Sequence, residues 1–440
     1  MTAPGARLRR DLGLIPLVAV VFFNVSGGPY GVEDAVSTFG PGLALLLLIV
    51  TPFVWSLPVS MAMAELASAI PDEGGYVVWV RRAFGPFWGF QVGWWSWLNS
   101  FVDVAVYPAL FAEYLRYWWP DMGGIERAAI ALAFIWGLTA LNVAGVRVVG
   151  GSATVLAVAA LVPVAVFTAV AALGARQAPW VPFAADGTSL AEGIGLGLAV
   201  TMWNYSGWDT PTTCLGETRA PETAFRRAVF AALPLIAVAY VLPVAAGLAA
   251  GTDWTKWETG HLPVVAAEVG GPGLAALVTL GALLATGGLF LASLFTNSRL
   301  PFALARAGQL PRWLAAVHPR LGTPWAAVLA SSACYSAFAF FSFKELIVLN
   351  VWLYSLALLL ELAAFVGLRY SEPALARPWR VGGGRAGMWL TAGLPAALSL
   401  LAMATAGWLN SAVGAAAALT GVVAYWCWAA PGRSAPADRG

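Results

Sequence analysis

Of 440 residues, 60% are hydrophobic and only 10% charged, where soluble domains carry about 25% charged residues. A chain so short of charge cannot coat a water-facing surface, which excludes a soluble protein and makes lipid its main solvent. The 24 Lys+Arg nearly balance the 22 Asp+Glu, leaving no basic excess to suit nucleic acid. Cys214, Cys334 and Cys427, with His261 and His318, have neither metal-ligand nor disulfide spacing. Only Lys256 and Lys344 are lysines; arginine preference together with Ala/Gly richness points to a GC-rich bacterial genome.

A crossing helix needs about 20 mostly apolar residues. Charge-free windows of that order run 12–32, 35–64, 83–102, 128–146, 148–175, 228–252, 269–298 and 321–343. The window 386–432 holds two helices with a turn near 408–411, and segments 104–118, 190–216 and 346–368 carry isolated acids. Joining 83–102 to 104–118 gives twelve spans. The basic residues then sort by side: Arg116, Arg127, Arg176, Lys256 and Lys344 fall outside, and the rest of the 24, Arg7, Arg433 and Arg439 among them, fall inside. This predicts a multi-pass protein of the inner (cytoplasmic) membrane with both termini cytoplasmic. The first span has no small-residue cleavage site and is not a cleavable signal.

The first span reads Asn24-Val25-Ser26-Gly27-Gly28-Pro29-Tyr30-Gly31-Val32-Glu33-Asp34. Three glycines and a proline in six residues cannot stay a regular helix. The sixth repeats the pattern as Trp203-Asn204-Tyr205-Ser206-Gly207-Trp208-Asp209-Thr210-Pro211. Unwound backbone is tolerated at membrane depth only where it lines a cavity or binds something. Two interrupted helices in corresponding places point to a transporter site at the midplane.

The first break resembles the amino acid–polyamine–organocation superfamily, and within it the polyamine-uptake branch known from plants and protozoa. Gly74-Gly75-Tyr76-Val77-Val78-Trp79-Val80, Phe84-Gly85-Pro86-Phe87-Trp88-Gly89-Phe90, Asp103 with Tyr107-Pro108, the run 205–209, Glu217, Tyr354, Glu361 and Arg377-Pro378 fall into the same pattern. The likeness covers roughly residues 12–385. It implies an all-α, leucine-transporter-type fold working by alternating access. Residues 12–174 and 190–369 would form two inverted five-helix repeats, 386–430 two peripheral helices, and 1–11 and 431–440 cytoplasmic tails.

The acids within spans are Glu33, Asp34, Glu65, Asp103, Asp209 and Glu361, with no basic residue in the middle of any span. Buried carboxylates need a cation or a proton, which suits a carrier of organic cations. Glu33 and Asp34 are adjacent, so at most one faces a cavity squarely. Asp103 and Tyr107 lie four apart on one helix face, and Asp209 follows the second break. The expected substrate site comprises Ser26, Gly27, Gly28, Tyr30, Glu33, Asp103, Tyr107, Trp203, Tyr205, Trp208, Asp209 and Tyr354, with ammonium groups held by the acids and by aromatic faces. Asp209 and Asp103 are the expected proton-coupling groups. Glu65, near Arg81 and Arg82, and Glu361, near Arg369, are read as gate or structural residues.

Protons rather than sodium are the expected driving ion, although Thr286 and Ser293 on helix eight offer hydroxyls for sodium. Proton-coupled amino-acid relatives often carry a lysine on helix five, and here residues 148–174 have no basic residue. The expected substrates are putrescine- or spermidine-type amines. The alternative is a proton- or sodium-coupled carrier of neutral or cationic amino acids, whose carboxylate would use exposed amides at the breaks. An enzyme would need a catalytic constellation or a cofactor motif, and the sequence offers neither; a channel would show polar rings along a continuous pore.

Overall fold

The computed structural model describes residues 8–186, 197, 198, 200–340 and 343–429, without the side chains of 343–351 and 429. Arg7, Arg433, Arg439, most of both predicted tails and the start of the predicted second repeat at 190 lie outside the described residues. The described residues are helical, with no β-strand beyond an isolated bridge between Leu12 and Thr218. The helices run α1 (Leu14–Val25), α2 (Glu33–Phe39), α3 (Pro41–Thr51), α4 (Leu57–Ala69), α5 (Tyr76–Phe84), α6 (Pro86–Asp103), α7 (Val106–Leu115), α8 (Gly124–Val143) and α9 (Val146–Leu173). They continue as α10 (Pro221–Ala249), α11 (Leu262–Asn297), α12 (Arg299–Arg306), α13 (Trp325–Phe338), α14 (Phe343–Ser371), α15 (Gly384–Thr405) and α16 (Trp408–Ala424). Among the described residues, eight helical stretches are long and apolar enough to cross a membrane, and α1 and α13 are shorter apolar helices.

Prolines set several boundaries. In the second span Pro52 and Pro58 each remove a backbone donor, and α3 joins α4 through a π-helical turn at Pro52–Ser56. The predicted window 83–102 starts late: Gly85, at φ +92°, ends α5, and Pro86 opens α6. The third span then breaks directly after Asp103. Pro108 has no N–H to offer the Val104 carbonyl, and the chain turns at residues 104–105. In α11 the kink falls at Gly271 (φ +77°), just before Pro272.

The core gathers around α1, whose Leu17, Val20, Val21, Phe22 and Phe23 are fully buried. It packs against α9, α10 and α11, while α14 packs on α6. Val155, Val158 and Val162 of α9, Leu390 and Leu400 of α15, and Leu419 and Val423 of α16 are exposed, as lipid-facing surfaces require. Trp94, Trp95 and Trp97 anchor α6 to its neighbours through indole hydrogen bonds to Thr420, Ala418 and Ser331.

Ion pairs stay within each predicted side. Asp11 pairs with Arg147 and Arg219, and Arg82 with Glu372; Glu113 pairs with Arg116 and Arg127, and Lys256 with Asp253. The arginine beside each carboxylate holds Asp11 and Glu372 below the usual carboxylate range.

Candidate functional site: a cavity between two broken helices

Both expected breaks are present. Helix α1 stops at Val25, and residues 26–32 are irregular or turn before α2 begins. In the sixth span, helical residues 200–204 give way at Tyr205 to irregular backbone, and a 3₁₀ helix follows at Thr210–Glu217. Glycine is needed at both places. Gly28 and Gly207 have φ of +97° and +96°, a region that costs other residues strain. A Cβ on Gly207 would sit 2.2 Å from the Asn24 carbonyl oxygen, so the two breaks meet backbone to backbone.

The cavity they enclose is lined by Ser26, Gly27, Tyr30, Asp103, Tyr107, Trp203, Asp209 and Tyr354 from the expected set. Its two charged lining residues among those described, Asp103 and Asp209, are both acidic. Asp209 is 4% exposed and accepts a 2.7 Å hydrogen bond from the Tyr354 hydroxyl, which itself accepts one from the Gly207 N–H. Three amides of the breaks are already engaged: the Gly28 N–H donates to Ser26 Oγ, the Gly31 N–H to Glu33 Oε2 and the Gly207 N–H to Tyr354. These amides are not available to a substrate carboxylate.

The chain matches the amino acid permease family over residues 12–430. It belongs to that family, within the amino acid–polyamine–organocation superfamily. Its relatives include a polyamine transporter of Oryza sativa subsp. japonica, 38% identical over 86% of this chain and 71% of that one. Another is a polyamine transporter of Arabidopsis thaliana, 35% identical over 95% and 85% of the two chains. An uncharacterized transporter of Mycobacterium tuberculosis is 29% identical over 76% and 74%. The permease is therefore a multi-pass membrane transporter and not an enzyme.

Four expected site residues of the permease do not line the cavity. Gly28 belongs to the non-helical stretch 26–32 and is absent from the lining. Glu33 is fully buried elsewhere, its Oε1 accepting from the Tyr114 hydroxyl at 2.6 Å while its other oxygen caps Gly31. Its neighbour Asp34 is held by the backbone and hydroxyl of Thr259, so neither of the adjacent acids faces the cavity. Tyr205 donates to the Leu48 carbonyl and packs on Tyr240, and the Trp208 indole donates to the Tyr205 carbonyl. Both rings brace the break from behind.

Asn24, Tyr76, Ser96, Asn99, Tyr240, Ser293 and Asn297 line the cavity without having been expected as substrate contacts. Ser96 and Asn99 extend the Asp103–Tyr107 face at spacings of three and four, a polar stripe visible in the sequence. Tyr240 and Asn297 arrive from other helices and carry no such signal. The Tyr240 hydroxyl donates to the Asn204 carbonyl, and Thr296 beside Asn297 donates to Asn24 Oδ1. The Thr286 hydroxyl is turned to carbonyls of its own helix, Ala282 and Leu283.

The two outlying acids differ from expectation in their partners. Glu65 is fully buried and bound by Arg369 and Arg377, with the Val381 N–H on Oε2, rather than by Arg81 or Arg82. Arg369 is therefore committed to Glu65 and is not the partner of Glu361. A second fully buried pair joins Arg299 to Glu217 at 2.7 Å. Beside it the Leu12 N–H donates to the Glu217 carbonyl and the Arg219 N–H to the Leu12 carbonyl, stapling the segment before α1 to the end of the sixth span.

Proposed function

We propose that this permease carries organic cations of the putrescine and spermidine type by alternating access, coupled to protons. The observation that carries the reading is a cavity whose charged lining residues, among those described, are two carboxylates, with the Gly28, Gly31 and Gly207 amides donated within the protein. Such a site favours ammonium groups, which gain about 0.5–2 kcal/mol over aromatic faces such as Tyr107, Trp203 and Tyr354. It offers little to an amino-acid carboxylate, which would compete with Ser26, Glu33 and Tyr354 for those amides. The relatives named polyamine transporters support the same choice.

Asp103 and Asp209 are the proposed ammonium-binding acids, and the 26–28 and 204–207 backbone supplies polar partners around them. The architecture that fits is a leucine-transporter-type fold of twelve spans, with two inverted five-helix repeats, two peripheral helices and cytoplasmic termini. The broken first and sixth spans and the segregation of the arginines support it. The sealed staple at Leu12 and Arg219 would open when the cavity faces the cytoplasm.

The test is uptake of labelled putrescine and spermidine into proteoliposomes. An inward proton gradient should accelerate uptake, sodium should not, and neutral amino acids should fail to compete. Competition by amino acids in place of amines would favour the amino-acid carrier, and sodium dependence without a pH effect would refute proton coupling.

A further inference from the structure

Glu361 lies on α14, seven residues and so about two helical turns from Tyr354. It is 1% exposed, and neither carboxyl oxygen has a hydrogen-bond partner among the described residues. The cationic groups at that end of α14 are occupied: Arg369 and Arg377 hold Glu65, and Arg82 on α5 holds Glu372. The acid acting on Glu361 is Asp209. Tyr76 of α5, whose ring lines the cavity, lies within electrostatic reach of both acids. Tyr354, which binds Asp209, also feels Glu361. Glu361 itself does not line the cavity, so an ammonium group held there does not touch it. The remaining acids on helices packed against α14 are Asp103 of α6, which belongs to the cavity, and Glu113 of α7, which pairs with Arg116 and Arg127.

An ionised carboxylate so buried has no hydrogen-bond donor and no counter-ion among the described residues, and it lies near a second acid that the substrate needs charged. A proton satisfies it and leaves Asp209, with its Tyr354 hydrogen bond, for the amine. We propose that Glu361 is the residue that carries the coupled proton, a proposal that rests on the carrier reading above. The proton binds the Glu361 carboxylate from the outer side, permits closure around it, and leaves to water when the cytoplasmic side opens. One proton thus enters and one leaves per cycle, with no other group changed.

Glu361→Gln keeps the shape of the neutral acid. In proteoliposomes, amine exchange at equal pH should stay within about two-fold of wild type. Accumulation driven by an inward proton gradient should fall at least about ten-fold, and substrate-linked proton entry should vanish. Glu361→Asp should restore gradient-driven accumulation with a displaced pH dependence, which separates proton carriage from a packing role. Infrared difference spectra across a pH titration should lose one protonated-carboxyl band in Glu361→Gln, a readout independent of transport. Accumulation and proton entry equal to wild type in Glu361→Gln, or selective loss of spermidine affinity with pH dependence intact, would overturn the assignment. Absence of amine exchange in the wild-type protein would instead count against the polyamine reading.

Discussion

Gly207 and Asn24 come from the two interrupted helices, and no side-chain atom fits between them: a Cβ on Gly207 would lie 2.2 Å from the Asn24 carbonyl oxygen. Gly207 also holds φ +96°, so alanine there suffers both a clash and backbone strain of about 1–3 kcal/mol. Gly207→Ala should insert into the membrane yet lose most amine transport, because the breaks are pushed apart. Transport at wild-type rates would show that the contact is not part of the working site.

Tyr354→Phe removes the hydroxyl that donates to Asp209 and receives the Gly207 N–H. Hydrogen bonds to charged groups contribute about 1.5–3 kcal/mol. The variant should bind putrescine roughly ten-fold more weakly by calorimetry, with melting temperature little changed. Undiminished affinity would show that the hydroxyl only spans the break.

Glu65→Gln tests a different part of the molecule. It leaves Arg369 and Arg377 without their buried anion, and breaking a buried pair from one side costs about 3–5 kcal/mol. Thermal unfolding in detergent should occur at a much lower temperature than wild type. A melting temperature within a degree or so of wild type would contradict the buried-pair account.

How much of this was legible in the sequence depends on how local each signal is. The breaks were legible because glycine and proline act on their own backbone: Ser26-Gly27-Gly28-Pro29 and Ser206-Gly207 unwind where expected. The polar stripe through Asp103 and Tyr107 was legible because it repeats at helical spacing. The destination of a charge was not. Glu361 and Glu65 both precede arginine-bearing segments, and only the packing of α4, α14 and the 377–381 segment decides that Glu65 takes both arginines. For the same reason Glu33 was expected in the cavity, and the rotation of α2 delivers it to Tyr114. Tyr240 and Asn297 come together with the breaks only in three dimensions.

Glu73, in the loop 71–75 between α4 and α5, carries a pH dependence. Burial, and then the Glu217 carboxylate beside it, push its carboxyl well above the usual range. The folded protein therefore binds this proton more tightly than the unfolded chain. The resulting stabilisation is complete below the ordinary carboxylate value and fades as pH rises through the higher folded one. Glu73→Gln should leave the melting temperature near wild type in mild acid and raise it by a few degrees at pH about 8. A variant less stable than wild type at that pH would reverse the sign and contradict the assignment.

Calorimetric titration of putrescine and spermidine into purified wild type, Asp103→Asn and Asp209→Asn probes the docking of positive charge most directly. Each variant should keep its fold and lose at least about ten-fold in affinity, or about 1.4 kcal/mol, for both amines. Wild-type affinity in both variants would mean that positive charge is not what this cavity recognises.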